Sequence, residues 1–180
     1  MISKGILFRT RVYLAGNIEN CRDSSWRERI TKRLNKLGII SLDPTKQVFT
    51  NQVLENQERK KKLLKWRKYE CYFLVHDFMK AVIQKDLRQI DICDFVIVNL
   101  DYTKFTAGTL HELIEGNRQR KPLLFLVKNK NKMPLWIIGL CNMNFVFEGE
   151  DKLISYLEEV NLGKKVLDNK YWKLLLPDLR

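Results

Sequence analysis

Two acids, Asp86 and Glu112, flank one strand-bearing segment, D-L-R-Q-I-D-I-C-D-F-V-I-V-N-L-D-Y-T-K-F-T-A-G-T-L-H-E. Phe95 to Leu100 is an apolar run rich in β-branched residues, the pattern of a strand buried on both faces. Asp86 falls near the end of the helix before that strand. Glu112 falls in the first turn of the helix after it, past the Ala107-Gly108-Thr109 turn. Open α/β sheets hold their ligands outside the carboxyl ends of the strands, so Glu112 is expected at the mouth of a cleft. A carboxylate there can exchange protons or hold developing positive charge. Its address is chemical rather than structural.

The elements that must position these acids can be read along the chain. Val12 to Gly16 is expected as a first strand ending in a glycine turn. Ser24 or Ser25 can cap a helix from about Trp26 to Leu37, in which Ile30, Leu34 and Leu37 recur at helical spacing. Gly38 stops that helix, and Ile39 to Leu42 gives a second short strand closed by Asp43-Pro44. Asn51 to Ile92 carries no strand signal. Helices are predicted there over about 52–69 and 78–92, and another over 110–120. Leu123 to Val127 and Phe145 to Phe147 are further strands, followed by a helix over about 151–160. Strands alternating with helices predict a parallel sheet with right-handed crossovers: a flavodoxin-like, Rossmann-like α/β fold of about five strands, order 2-1-3-4-5. The site then lies between the first and third strands. No repeat or low-complexity linker divides the 180 residues, so one domain is expected. Leu174 to Pro177 could dock onto the body or onto a neighbouring subunit.

An apolar share of 45% and 11% aromatics argue against disorder, and no apolar run approaches a membrane span. The N-terminal residues lack a signal-peptide pattern. Cys21, Cys71, Cys93 and Cys141 are scattered without a C-x-x-C pair, which predicts reduced, mostly buried thiols and a cytoplasmic protein. With His76 and His111 the only histidines, no metal site is expected. The net charge of +12 favours phosphorylated or polyanionic partners. Residues 59–68, R-K-K-K-L-L-K-W-R-K, hold seven basic residues in ten. They can serve as a contact for nucleic acid or as a solvated helix face, and few aromatics interleave with them.

Three segments, Y-L-A-G at 13–16, D-x-x-x-I-x-x-C-D at 86–94 and T-A-G-T-x-x-E at 106–112, occur in one order and at strand ends. Together they resemble the nucleoside 2-deoxyribosyltransferase family, including its relatives that hydrolyse deoxynucleoside monophosphates. The match runs from Val12 to about Phe147, with a basic elaboration at about 52–75. The resemblance implies an enzyme in which Glu112 attacks the anomeric carbon, forming a glycosyl-enzyme intermediate. It implies Asp86 as the acid that assists departure of the base, and Tyr13 as the hydroxyl that holds the nucleophile. Breaking an N-glycosidic bond builds positive charge on the sugar, which a fixed carboxylate can stabilise or trap. A base leaves poorly as an anion, hence the need for an acid.

Position 106 discriminates within the family. Transferases of free nucleosides tend to carry an aspartate there, and monophosphate hydrolases a serine. Thr106 keeps a hydroxyl without the charge, which favours a phosphorylated substrate. Gly108 and Thr109 offer backbone N–H groups at a helix start. Gly16 and Asn17, with Arg22 or Arg27, could complete a phosphate cradle. Asp101 is expected to order its loop or touch the sugar, Asp43 to be a loop acid near the site or a turn residue, and His111 to point away from Glu112. The resemblance also implies a homodimer or larger assembly, with Asn142 or Asn144 as a residue lent to the partner, and no organic cofactor.

Two other functions fit the same residues: a related glycosidase effector that cleaves NAD, and a non-catalytic module binding nucleotides or nucleic acid through 59–68. Release of nicotinamide marks the first. DNA or RNA binding that survives Glu112→Ala marks the second.

Overall fold

A computed structural model of the chain describes residues 5–18, 25–46, 57–104, 107–165 and 172. Five parallel strands form one sheet in the order β2-β1-β3-β4-β5, as predicted. They are β1 (Arg11–Gly16), β2 (Ile40–Leu42), β3 (Phe95–Asn99), β4 (Leu123–Val127) and β5 (Val146–Glu148). β1 lies beside β3 in register, Tyr13 opposite Val96 and Gly16 opposite Asn99, so both strands end at the same edge.

Side chains alternate across the sheet with period two and are buried on both sides. Val12, Leu14, Phe95, Ile97, Leu124 and Leu126 face one layer, formed by α1 (Trp26–Lys36) and α6 (Glu150–Asn161). Tyr13, Ala15, Val96, Val98, Leu123 and Phe125 face the other, formed by α3 (Tyr72–Ile92) and α4 (Ala107–Arg118). Trp172 returns to the first layer, its ring 5.4 Å from Phe95 and its indole N–H donating to the Tyr156 hydroxyl at 3.1 Å. Residues 174–177 lie outside the described part.

Several expectations are corrected. α3 begins at Tyr72, six residues earlier than predicted, and packs against α2 (Gln57–Lys68). From Glu58 to Ala81 no residue is buried, so the periodicity that marks a helix in sequence is absent from this hairpin. α4 begins at Ala107, taking Gly108 and Thr109 into its first turn. A short helix, α5 (Leu135–Leu140), follows Pro134 and was not foreseen. Ser25 occupies the cap position of α1, but its hydroxyl accepts from Arg29 Nη1 at 2.5 Å instead of capping; Ser24 lies outside the described residues. Gly38 does end that stretch, at φ +75°. The described cysteines are free, but only Cys93 is buried, while Cys71 and Cys141 are half-buried. Cys21 is outside the described residues. Among them no helix is long and apolar enough to cross a membrane, and no cluster suited to a metal ion is found.

The end of α3 is sealed by Lys121, which the sequence did not single out. Its buried ammonium donates to the carbonyls of Ile90, Asp91 and Cys93, groups a helix end leaves without internal partners. Lys121→Met keeps the stem but strips these carbonyls of their donor. It should cost about 2 kcal/mol, lowering Tm by roughly 4–8 °C in a chain of this size. An unchanged calorimetric Tm would refute that capping role.

Candidate active site

Tyr13 is the third residue of β1, and strand alternation aims it at the α3/α4 layer. Glu112 sits in the second turn of α4, on the helix face turned to the sheet. The two meet on the α3/α4 face of the sheet: Tyr13 Oη donates to Glu112 Oε1 at 2.7 Å. Tyr13 is wholly buried and Glu112 is 8% exposed. Burial pushes the Tyr13 phenol well above its ordinary value of 10.0, and the charges of Glu112 and Asp86 push it further. It therefore remains a neutral donor, fixing one carboxylate oxygen of Glu112. His111, its neighbour, is exposed, as expected of adjacent helix positions.

Asp86 is carried by α3 into the same region, close enough for its charge to act on Tyr13. Burial raises its carboxyl above the ordinary 3.8, against the opposing pull of Lys85 and Arg27. Lys85 Nζ stands 3.1 Å from Asp86 Oδ1, yet that oxygen has no aligned hydrogen bond. The ammonium is directed to the carbonyl of Pro44 at 2.8 Å, tying α3 to the loop after β2. Gln89, three residues on, is fully buried with no hydrogen bond to either side-chain amide atom. It adds unspent polar capacity to the face of α3 that bears Asp86. Lys85 and Gln89 were both missed by sequence reasoning; Gln89 lies at helical spacing from Asp86, whereas Lys85 is its chain neighbour and carried no such signal.

The expected phosphate cradle is partly rearranged. Gly16 ends β1, and a Cβ there would meet the Trp26 ring at 2.9 Å and the Asn99 carbonyl at 3.2 Å, which explains glycine at this position. Arg27 does not reach outward. The residue is 3% exposed, and its guanidinium donates to the carbonyls of Gly16 at 2.6 Å and Leu14 at 3.2 Å, with Asp43 at 3.7 Å. Trp26 packs under Gly16 and draws Arg27 inward with it, so this arginine braces the strand end. Asp43 is buried and doubles as a turn residue, accepting from Thr45 N at 2.9 Å and Thr45 Oγ1 at 2.7 Å. Arg22 and Thr106 lie outside the described residues. Asn17 follows directly on Gly16 and is half-buried. Gly108 and Thr109 place their N–H groups in the first turn of α4, and nothing stands within 4 Å of a Cβ built at Gly108. Gly108 is exposed, and the first N–H groups of a helix are suited to an anion.

A groove of about 320 Å³ opens beside this edge, walled by Leu100 to Lys104, Leu110, Pro134 and Ile137. Of the predicted site residues that are described, Asp101 alone lines it. From α4 only Leu110 reaches the groove, and neither Asp86 nor Glu112 lines it. Asp101 Oδ1 accepts from Thr103 Oγ1 at 2.5 Å and Thr103 N at 3.1 Å, which holds its carboxyl below 3.8 and orders the loop. Asn142 uses its side chain locally, accepting from Asn144 N at 3.0 Å. Asn144 is exposed.

Neither a protein-family model nor a curated protein sequence matches the chain. Solved structures do match its fold. A 2-deoxyribosyltransferase from the psychrotolerant bacterium Bacillus psychrosaccharolyticus superposes with a TM-score of 0.59 at 19% identity, covering 82% of this chain and 92% of that one. A conserved protein from Enterococcus faecalis V583 gives 0.58 at 15% identity, covering 84% and 98%. The 2-deoxyribosyltransferase from Leishmania mexicana gives 0.53 at 14% identity, covering 83% and 97%. The chain shares the α/β fold of these proteins over most of its length.

Proposed function

We propose that this protein is an enzyme of the nucleoside 2-deoxyribosyltransferase type that cleaves, or transfers at, the N-glycosidic bond of a (deoxy)nucleoside or its 5′-monophosphate. The observation that carries the reading is the buried 2.7 Å hydrogen bond from Tyr13 to Glu112, formed near an Asp86 whose carboxyl pKa is raised by burial. The likeness of fold to 2-deoxyribosyltransferases supports it.

In this reading a Glu112 carboxylate oxygen attacks the anomeric carbon. A carbon–oxygen bond forms as the carbon–nitrogen bond breaks, and the bonding pair leaves with the base. Asp86 delivers its proton to a base nitrogen, so the base departs neutral. Water, or a second base, then attacks the same carbon and frees Glu112. Tyr13 holds the nucleophile throughout, and the first turn of α4, with Gly108 and Thr109, receives a 5′-phosphate. Gly16, Asn17, Thr106 and Asp101 complete the sugar-phosphate side.

The test is chromatographic detection of free base after incubation with a panel of nucleosides, 5′-monophosphates and NAD. Base release from a nucleoside or monophosphate is the expected result. Release of nicotinamide alone would replace this reading with NAD cleavage, and no release from any member would remove it. Tyr13→Phe should retain substrate binding while lowering kcat by up to about 10²-fold, the scale of a displaced reacting group. A kcat unchanged by that substitution would remove Tyr13 from the machinery. Homo-oligomerisation, implied by the same resemblance, has support in Leu135 and Trp136, 86% and 78% exposed on α5. Light scattering of the purified protein checks it.

A further inference from the structure

We propose that the hairpin of α2 and α3 is a docking surface for a single-stranded polynucleotide. This rests on the hairpin's own geometry and stands whether or not the N-glycosidic reading does. The 59–68 segment is helical, and its charges Lys61, Lys62, Lys65, Arg67 and Lys68 are all exposed. Glu58 is the lone acid in α2. Such a surface is complementary to a polyanion.

What distinguishes the polyanion is the aromatic content of the tip. Tyr69, Tyr72 and Phe73 are 63%, 60% and 74% exposed around the turn at Glu70, which has φ +56°. Trp66 adds a half-buried ring with the Lys62 ammonium 4.9 Å from its centroid. Exposed rings beside lysines suit unpaired bases, each stacked base contributing about 1–3 kcal/mol. A duplex hides those faces, and a bare polyanion has none. An anionic bilayer fits less well, because the basic residues of α2 encircle the helix instead of bordering one continuous apolar face. A second copy would bring the same positive charge against this one. The tip lies about 20 Å along α3 from Asp86, so a strand can be held without filling the site.

The test measures fluorescence anisotropy of a labelled oligothymidylate with the full chain, alongside duplex DNA, heparin and phosphatidylglycerol vesicles. Single strand should bind best. Its log affinity should fall with log salt at a slope of about −2 to −4, the sign of several neutralised phosphates. Lys61→Glu with Lys65→Glu and Lys68→Glu should weaken oligothymidylate and heparin together. Tyr69→Ala with Phe73→Ala should weaken oligothymidylate about tenfold or more and spare heparin. Neither set removes a buried side chain, so melting curves and base release from mononucleotides should not move. Absence of single-strand binding at low salt, equal binding of duplex or heparin with the aromatic pair indifferent, or preference for vesicles would each overturn the proposal.

Discussion

Glu112→Gln is expected to abolish base release while leaving fold and substrate binding in place. The amide keeps the size of the carboxylate and retains an oxygen to accept from Tyr13, so the 2.7 Å contact can survive. It carries no negative charge, so it neither stabilises a cationic sugar nor forms a stable glycosyl ester. A loss of about 10³-fold or more in kcat is the expected scale for a nucleophile. Intact-mass spectrometry of quenched reactions supplies a second readout, a sugar-sized addition in wild type that is missing in the variant. Activity near the original rate in Glu112→Gln would rule out the nucleophile assignment.

Asp86→Asn carries the second large effect, and here pH separates chemistry from folding. A proton donor must be protonated, so kcat/KM of the wild type should fall as pH rises through the elevated folded pKa of Asp86. The variant should lose that limb and about 10²–10⁴-fold of rate. The loss should be smallest for bases that leave without protonation. Stability follows the same proton. Burial raises the folded pKa above 3.8, so the native state holds the proton more tightly than the unfolded chain. That contribution is full below 3.8 and is lost as pH rises through the folded value. Urea midpoints should therefore decline across this window in wild type and change less in Asp86→Asn. A pH–rate profile identical in both proteins would deny Asp86 its role.

The sheet was legible because every strand is a short apolar run between turn residues, and alternation with helices leaves few topologies. The placement of Tyr13 on β1 and of Glu112 on the helix after β3 followed from the same logic, although Glu112 falls in the second turn of α4 and not its first. Hidden features depend on contacts across the chain. Nothing local announces that Arg27 folds back on the Gly16 carbonyl, or that Lys121 seals a helix ending thirty residues earlier. The start of α3 was misplaced because Tyr72 to Asp77 bury no face, so no 3.6-residue pattern forms. The same stretch supplies the exposed rings that reading 59–68 in isolation overlooked. α5 is too short for periodicity to identify.

The outermost strands, β2 and β5, have three residues each. So short a rim offers an incoming extended chain few main-chain hydrogen bonds, which protects against amyloid-like growth and makes β-augmentation a poor mode of recognition here. A partner chain is therefore engaged away from the sheet edges, through helices and loops.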